Sequence, residues 1–134
     1  MGTMNRSDMR VTLAAGCALG LAACAVRAHH SIALQFDMTR QIEIVGDIVQ
    51  MEWRNPHSWL HVEVENEAGV LETWRVEFGS ANGLYRAGWR RDDLPVGEQV
   101  TVHGLPARDG SRQMVGDEVT LASGRSLFAE DPEG

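Results

Sequence analysis

Between Gln41 and Phe128 the chain alternates short β-forming segments with turn signals, and only one stretch there suits a helix. That order constrains the fold more than any single motif. Ser58–Asn66 is the clearest segment. Leu60, Val62 and Val64 fall on one face, and Trp59, His61, Glu63 and Glu65 on the other. A period of two is the mark of a strand with one face buried. Asn66–Gly69 then reads as a short hairpin loop. Val70–Phe78 continues the pattern, with Trp74, Val76 and Phe78 inward and Thr73, Arg75 and Glu77 outward.

The strand before these, Gln41–Arg54, changes phase. Ile42, Ile44 and Ile48 share one parity; Val49, Met51 and Trp53 share the other. A slip near Gly46–Val49 predicts a bulged, strongly bent strand. Asn55-Pro56 ends it, because proline cannot donate to a ladder. After the third strand, Ser80 is placed to cap a short helix over Ala81–Ala87, and Gly88 stands where a C-terminal cap belongs. Arg91–Leu94 reads as a charged connection. Glu98–Gly104 and Gln113–Ala122 follow as strands four and five, separated by a Gly104–Arg112 loop with the turn signal Asp109-Gly110. Arg125–Phe128 reads as a short tail strand.

Three strands, one helix and two strands, with a first strand long enough to serve two sheets, is the pattern of a small OB-fold-like five-stranded antiparallel barrel. The expected fold class is therefore all-β with one short helix, the barrel spanning 41–128. Closure also removes the sheet edges that so small a domain must otherwise protect. Residues 29–40 read as a polar N-terminal arm and residues 129–134 as a disordered tail.

The first 28 residues read as a secretory signal peptide. Arg6 and Arg10 precede the apolar run Val11–Val26, which Gly16 and Gly20 interrupt. A bilayer core needs about 20 apolar residues, so this run suits a signal rather than an anchor. The small-x-small pair Val26 and Ala28 predicts cleavage before His29. Leu21-Ala22-Ala23-Cys24 also has the form of a lipobox, and cleavage there makes a membrane-tethered lipoprotein lipidated at Cys24. The expected location is the periplasm in either case.

Cleavage after Ala28 removes Cys17 and Cys24, the only cysteines, and leaves a domain with no disulfide. It also removes Arg6, Arg10, Arg27 and Asp8, leaving nine basic residues, all arginine, against eighteen acidic ones and a formal charge of −9. That field repels phosphate backbones, so nucleic acid is excluded as a partner. The expected partner is a periplasmic protein or a small ligand.

Five histidines remain after that cut. His57 stands in Asn55-Pro56-His57 between strands one and two, a loop that borders the binding face of OB-folds together with the loop between strands four and five. The candidate ligand-binding residues are Asn55, His57, Trp59, Trp89 and Arg108. Asn55 and His57 would direct hydrogen bonds, Arg108 would pair an anionic group, and the indoles would supply apolar area. The plainer and preferred reading of Asn55-Pro56-His57 taken alone is a turn. His61 and His103 read as exposed strand residues. A chain starting at His29 would place an amine and an imidazole on one residue. With His30 or His57 this set suits copper, nickel or zinc, so His29, His30 and His57 are candidate metal ligands, copper or zinc the implied cofactor. No Gly-x-Ser-x-Gly, phosphate loop or His-Glu-x-x-His occurs, and no residue is assigned a catalytic role.

Ala28-His29-His30-Ser31, Asn55-Pro56-His57, Gly88-Trp89 and Ala107-Arg108-Asp109-Gly110, in that order and spacing, resemble an uncharacterised family of small bacterial exported proteins defined as a domain of unknown function. The resemblance covers His29 to about Phe128. It implies a periplasmic location and supplies no activity, cofactor or catalytic residue.

Overall fold

The computed structural model describes residues 32–129. The chain divides into a unit ending at Leu34 and a second, Gln35–Gly134, that holds the barrel. Residues 32–35 are helical. The segment read as a signal peptide, with Cys24, and His29 and His30 lie outside the described residues, as does the segment beyond Ala129.

Six strands follow: β1 (Ile42–Glu52), β2 (Ser58–Glu65), β3 (Leu71–Phe78), β4 (Gln99–Pro106), β5 (Gln113–Leu121) and β6 (Ser126–Phe128). A short helix, α1 (Ala81–Arg86), and a 3-10 turn at Arg91–Asp93 separate β3 from β4. The sheet runs β3-β2-β1-β4-β5-β6, and a parallel β3–β5 pairing at Arg75–Glu77 and Gln113–Val115 closes the first five strands into a barrel. This is the OB-like order that the sequence predicts. β6 pairs with the same edge of β5 as β3, farther along at Glu118–Thr120.

The bent first strand is what makes closure feasible. Residues 42–47 of β1 pair with β4 and residues 47–52 with β2, so one strand serves both halves of the barrel. The register slips between Ile48 and Gln50, leaving Val49 bulged outward and half-exposed. Gly46 sits at the crossover: a Cβ there would lie 2.1 Å from the Glu63 carbonyl oxygen. Gly116 of β5 makes room in the same way for the Phe78 ring, 2.4 Å from where its Cβ would stand. Glycines at such corners let strands approach more closely than any side chain permits.

The inward residues of each strand form one core: Ile44, Ile48, Leu60, Val62, Val76, Val100, Val102, Met114 and Val119 among them. The region after β3 closes one end. Ser80 Oγ accepts from the Gly83 amide at 3.0 Å, capping α1 as expected, and Leu84 turns inward. Gly88 has φ of 95°, which a residue with a side chain seldom adopts, and the chain turns there to deliver Trp89 into the core. Trp89 is 0% exposed and stacks edge-on against Phe78 with centroids 5.0 Å apart.

Two segments depart from expectation at their ends. β4 continues to Pro106, two residues beyond the predicted strand. Proline is tolerated there because that end of β4 meets residues 35–37 through its own carbonyl, which accepts from the Asp37 amide at 2.9 Å. Phe36, read as part of a polar arm, is 1% exposed and bridges Ala107. Residues 35–37 thus extend the line of β1 along β4.

Candidate functional site

The outer face of β1, β2 and β3 presents a two-dimensional array of polar and aromatic side chains. Register fixes the rows. Trp59 lies between Glu52 on β1 and Glu77 on β3; His61 lies between Gln50 and Arg75. Neighbouring positions on one sheet face are near enough for long side chains to meet directly and diagonally.

They do meet. His61 Nε2 lies 2.8 Å from Glu52 Oε1, and Arg54 Nη2 lies 2.7 Å from Glu52 Oε2. Both carboxylate oxygens of Glu52 are therefore engaged, and the His61 contact with the nearby Arg54 charge holds this carboxyl below its ordinary range. His57 Nδ1 lies 3.0 Å from Glu77 Oε1. Along the other diagonal, the Arg75 guanidinium lies 4.4 Å from the centroid of the Trp59 ring.

The β1–β2 loop is anchored rather than loose. The Arg54 carbonyl accepts from the Ala81 amide at 2.8 Å, and Asn55 Oδ1 accepts from the Asn82 amide at 3.3 Å. Ser58, the one buried polar residue among the described residues, exchanges hydrogen bonds with the Arg54 backbone. The Asn55–Pro56 peptide is cis. These contacts tie the loop to the start of α1 and leave His57 half-exposed beside β3.

The β4–β5 loop meets β3 along its free edge. The Arg75 amide donates to the Arg112 carbonyl at 3.0 Å, and the Arg112 side chain pairs with Glu72, which Asn66 also binds. These two partners lower the Glu72 carboxyl, and Glu72 in turn raises the Arg112 guanidinium. Arg75 and Glu77 are two residues apart, about 7 Å in an extended strand. Both loops therefore flank one short stretch of β3.

The sequence-predicted ligand residues separate into three places. His57 and Trp59 stand together on the outer face. Asn55 is beside them, but its carbonyl oxygen is committed to α1. Trp89 does not face this surface at all: it plugs the core, and its indole N–H donates to the Phe128 carbonyl at 2.7 Å. Nothing but burial distinguishes it from Trp59, and burial follows from the turn at Gly88. Arg108 is exposed on the β4–β5 loop, with its amide bound to the Gln35 carbonyl and its charge acting on Asp37. Arg112, not Arg108, is that loop's arginine beside β3.

Glu52, Arg75 and Glu77 complete the array and were not among the predicted ligands. Two of them were readable, because the Asn66 hairpin places Trp59 opposite Glu77 and His61 opposite Arg75. Glu52 was not, since its row depends on the bulge at Val49. His61 is also less open than an exposed strand residue, with its side chain 17% exposed against Glu52. His103 pairs more loosely with Glu43, at 3.5 Å on the β1–β4 surface. Of the candidate metal ligands only His57 is described. Among the described residues no group of three or more His, Cys, Asp or Glu converges on a point that would hold a metal ion.

A family model described as "Family of unknown function (DUF6152)" matches residues 18–119. The chain belongs to that family. No curated protein and no solved structure matches it.

Proposed function

We propose that this member of the DUF6152 family is a periplasmic, non-enzymatic binding or accessory module, and that its partner docks on the outer face of β1–β2–β3 between the β1–β2 and β4–β5 loops. The leader-like segment 1–28 supports the location. The observation that carries the binding face is the array itself. Trp59, His61, Glu52, Arg75, His57 and Glu77 fix one another on an accessible sheet surface, on a rigid barrel, with both loops anchored around them. Preorganised polar groups beside an aromatic ring lower the ordering cost of association. OB-type barrels use this face for ligands.

The test is a double variant, His57→Ala with Trp59→Ala, compared with the parent protein in affinity capture from periplasmic extract. Loss of the captured partner with little change in melting temperature is the expected result. An equal loss of stability, or capture that persists, contradicts the reading.

A further inference from the structure

The first half of β3 has an edge with no strand beside it among the described residues. Extended residues alternate in the direction of their N–H and C=O groups. Along β3 the even-numbered positions face β2: the Val70 carbonyl accepts from the Asn66 amide at 2.9 Å. The odd-numbered positions face the opposite edge, where the Arg75 amide donates to the Arg112 carbonyl. β5 covers that edge at Arg75–Glu77 and not before. Leu71 and Thr73 therefore turn two N–H and two C=O groups to an edge that no described strand pairs.

We propose that a second copy of this chain pairs there, antiparallel, about a two-fold axis at Glu72, and that the protein forms a transient homodimer. Three observations favour that occupant. The first is fit. Leu71 of each copy then lies opposite Thr73 of the other, and the two pairs use all four open groups on each edge. The incoming strand must stop opposite Trp74, because Arg112 already holds Arg75. Under the two-fold, position 74 faces Val70 of the second copy, where the Asn66–Gly69 hairpin carries that chain toward its own β2. A patch that matches itself about a two-fold is what a closed dimer requires.

The second is the character of the edge. Edge strands are commonly guarded by lysine, proline or a bulge. Here Val70 and Leu71 are 55% and 59% exposed. Pairing sets Leu71 beside Thr73 on the outer face and Val70 beside Trp74 on the other, so apolar surface is covered on both.

The third is charge. The axis brings the two Glu72 residues together, which alone is unfavourable. Each is already paired with Arg112, and Asn66 Nδ2 donates to it at 2.9 Å. Two carboxylates and two guanidiniums therefore meet across the axis. A strand from another protein need not supply that arginine or turn away at position 74. A ladder of two rungs is short, so the dimer is weak and transient rather than obligate.

The test is sedimentation velocity on the purified exported chain from about 10 µM to about 1 mM, with amide hydrogen exchange at the same concentrations. The expected result is a monomer that shifts to a dimer as concentration rises. Exchange at Leu71 and Thr73 should slow with the monomer fraction, about twofold where half the chain is paired. Leu71→Lys places a guard on the edge, and Thr73→Pro removes an N–H that the β2 ladder does not use. Both should stay monomeric across the range, and Leu71→Lys should melt within about 2 °C of the parent. Thr73→Val keeps the N–H and should dimerise like the parent. A monomer throughout, a dimer that survives both substitutions, or exchange that ignores concentration overturns the proposal. Protection of Leu71 and Thr73 that appears only with periplasmic extract assigns the edge to another protein's strand and also overturns it. The dimer does not rest on the docked partner: Leu71→Lys should still capture that partner, and a failed capture leaves the dimer standing. In crosslinking from β3, an adduct of twice the chain's mass reports this pairing, and any other mass reports the docked partner.

Discussion

Arg75 and Trp59 form a cation–π contact across the β2–β3 ladder, 4.4 Å from guanidinium carbon to ring centroid. Contacts of this kind at exposed sites contribute about 0.5–1 kcal/mol. Arg75→Ala should therefore lower unfolding free energy by no more than about 1 kcal/mol, read from urea midpoints. A larger loss makes Arg75 a structural residue and weakens the case for its role in recognition.

Trp89 should behave in the opposite way. It is fully buried and bonded to the Phe128 carbonyl. Trp89→Ala should cost about 3–5 kcal/mol. Trp89→Phe keeps much of the buried area but strands that carbonyl, and should cost about 1–3 kcal/mol. A near-neutral Trp89→Phe shows that the hydrogen bond contributes little.

Gly46 and Gly79 offer a test of barrel closure. A Cβ on Gly46 would stand 2.1 Å from the Glu63 carbonyl oxygen, whereas one on Gly79 would meet nothing within 4 Å. Backbone cannot yield as a side-chain tip can. Gly46→Ala should destabilise by about 1–3 kcal/mol or more, as overpacking does, and Gly79→Ala should stay within about 0.5 kcal/mol. Equal effects in thermal melts contradict the crossover geometry.

Acid sensitivity follows from Glu52. Its carboxyl is depressed below the ordinary 4.5, first by His61 and then by Arg54. A depressed carboxyl stabilises the fold fully above its unfolded value, and that contribution disappears as pH falls through the folded value. Glu52→Gln should flatten the loss of stability between about pH 5 and about pH 3. Unfolding curves as steep as the parent's across that range show that Glu52 is uncoupled from folding.

How much of this could be read from residues alone differs by scale. Alternation in Ser58–Asn66 and Val70–Phe78 set the faces of β2 and β3. The phase change before Trp53 placed the bulge, which stands at Val49. Ser80 and Gly88 marked the helix ends. Periodicity reports only local geometry, however. It could not show that Phe36 pairs with Ala107, because that contact joins residues some seventy positions apart. It could not separate Trp89 from Trp59, since both follow loops and only the closed barrel decides which ring is enclosed. The site was half visible for the same reason. His57 and Trp59 stand out as residue types, while Glu52, Arg75 and Glu77 matter through their neighbours on adjacent strands.

The most direct test of the binding face is site-specific photo-crosslinking in exporting cells. A photoreactive phenylalanine replaces Thr73, on the proposed face beside Glu63, or Val45, exposed on the β1–β4 surface. The expected result is a discrete crosslinked partner from position 73 and none from position 45. The same adduct from both positions, or an adduct from position 45 alone, contradicts the assignment.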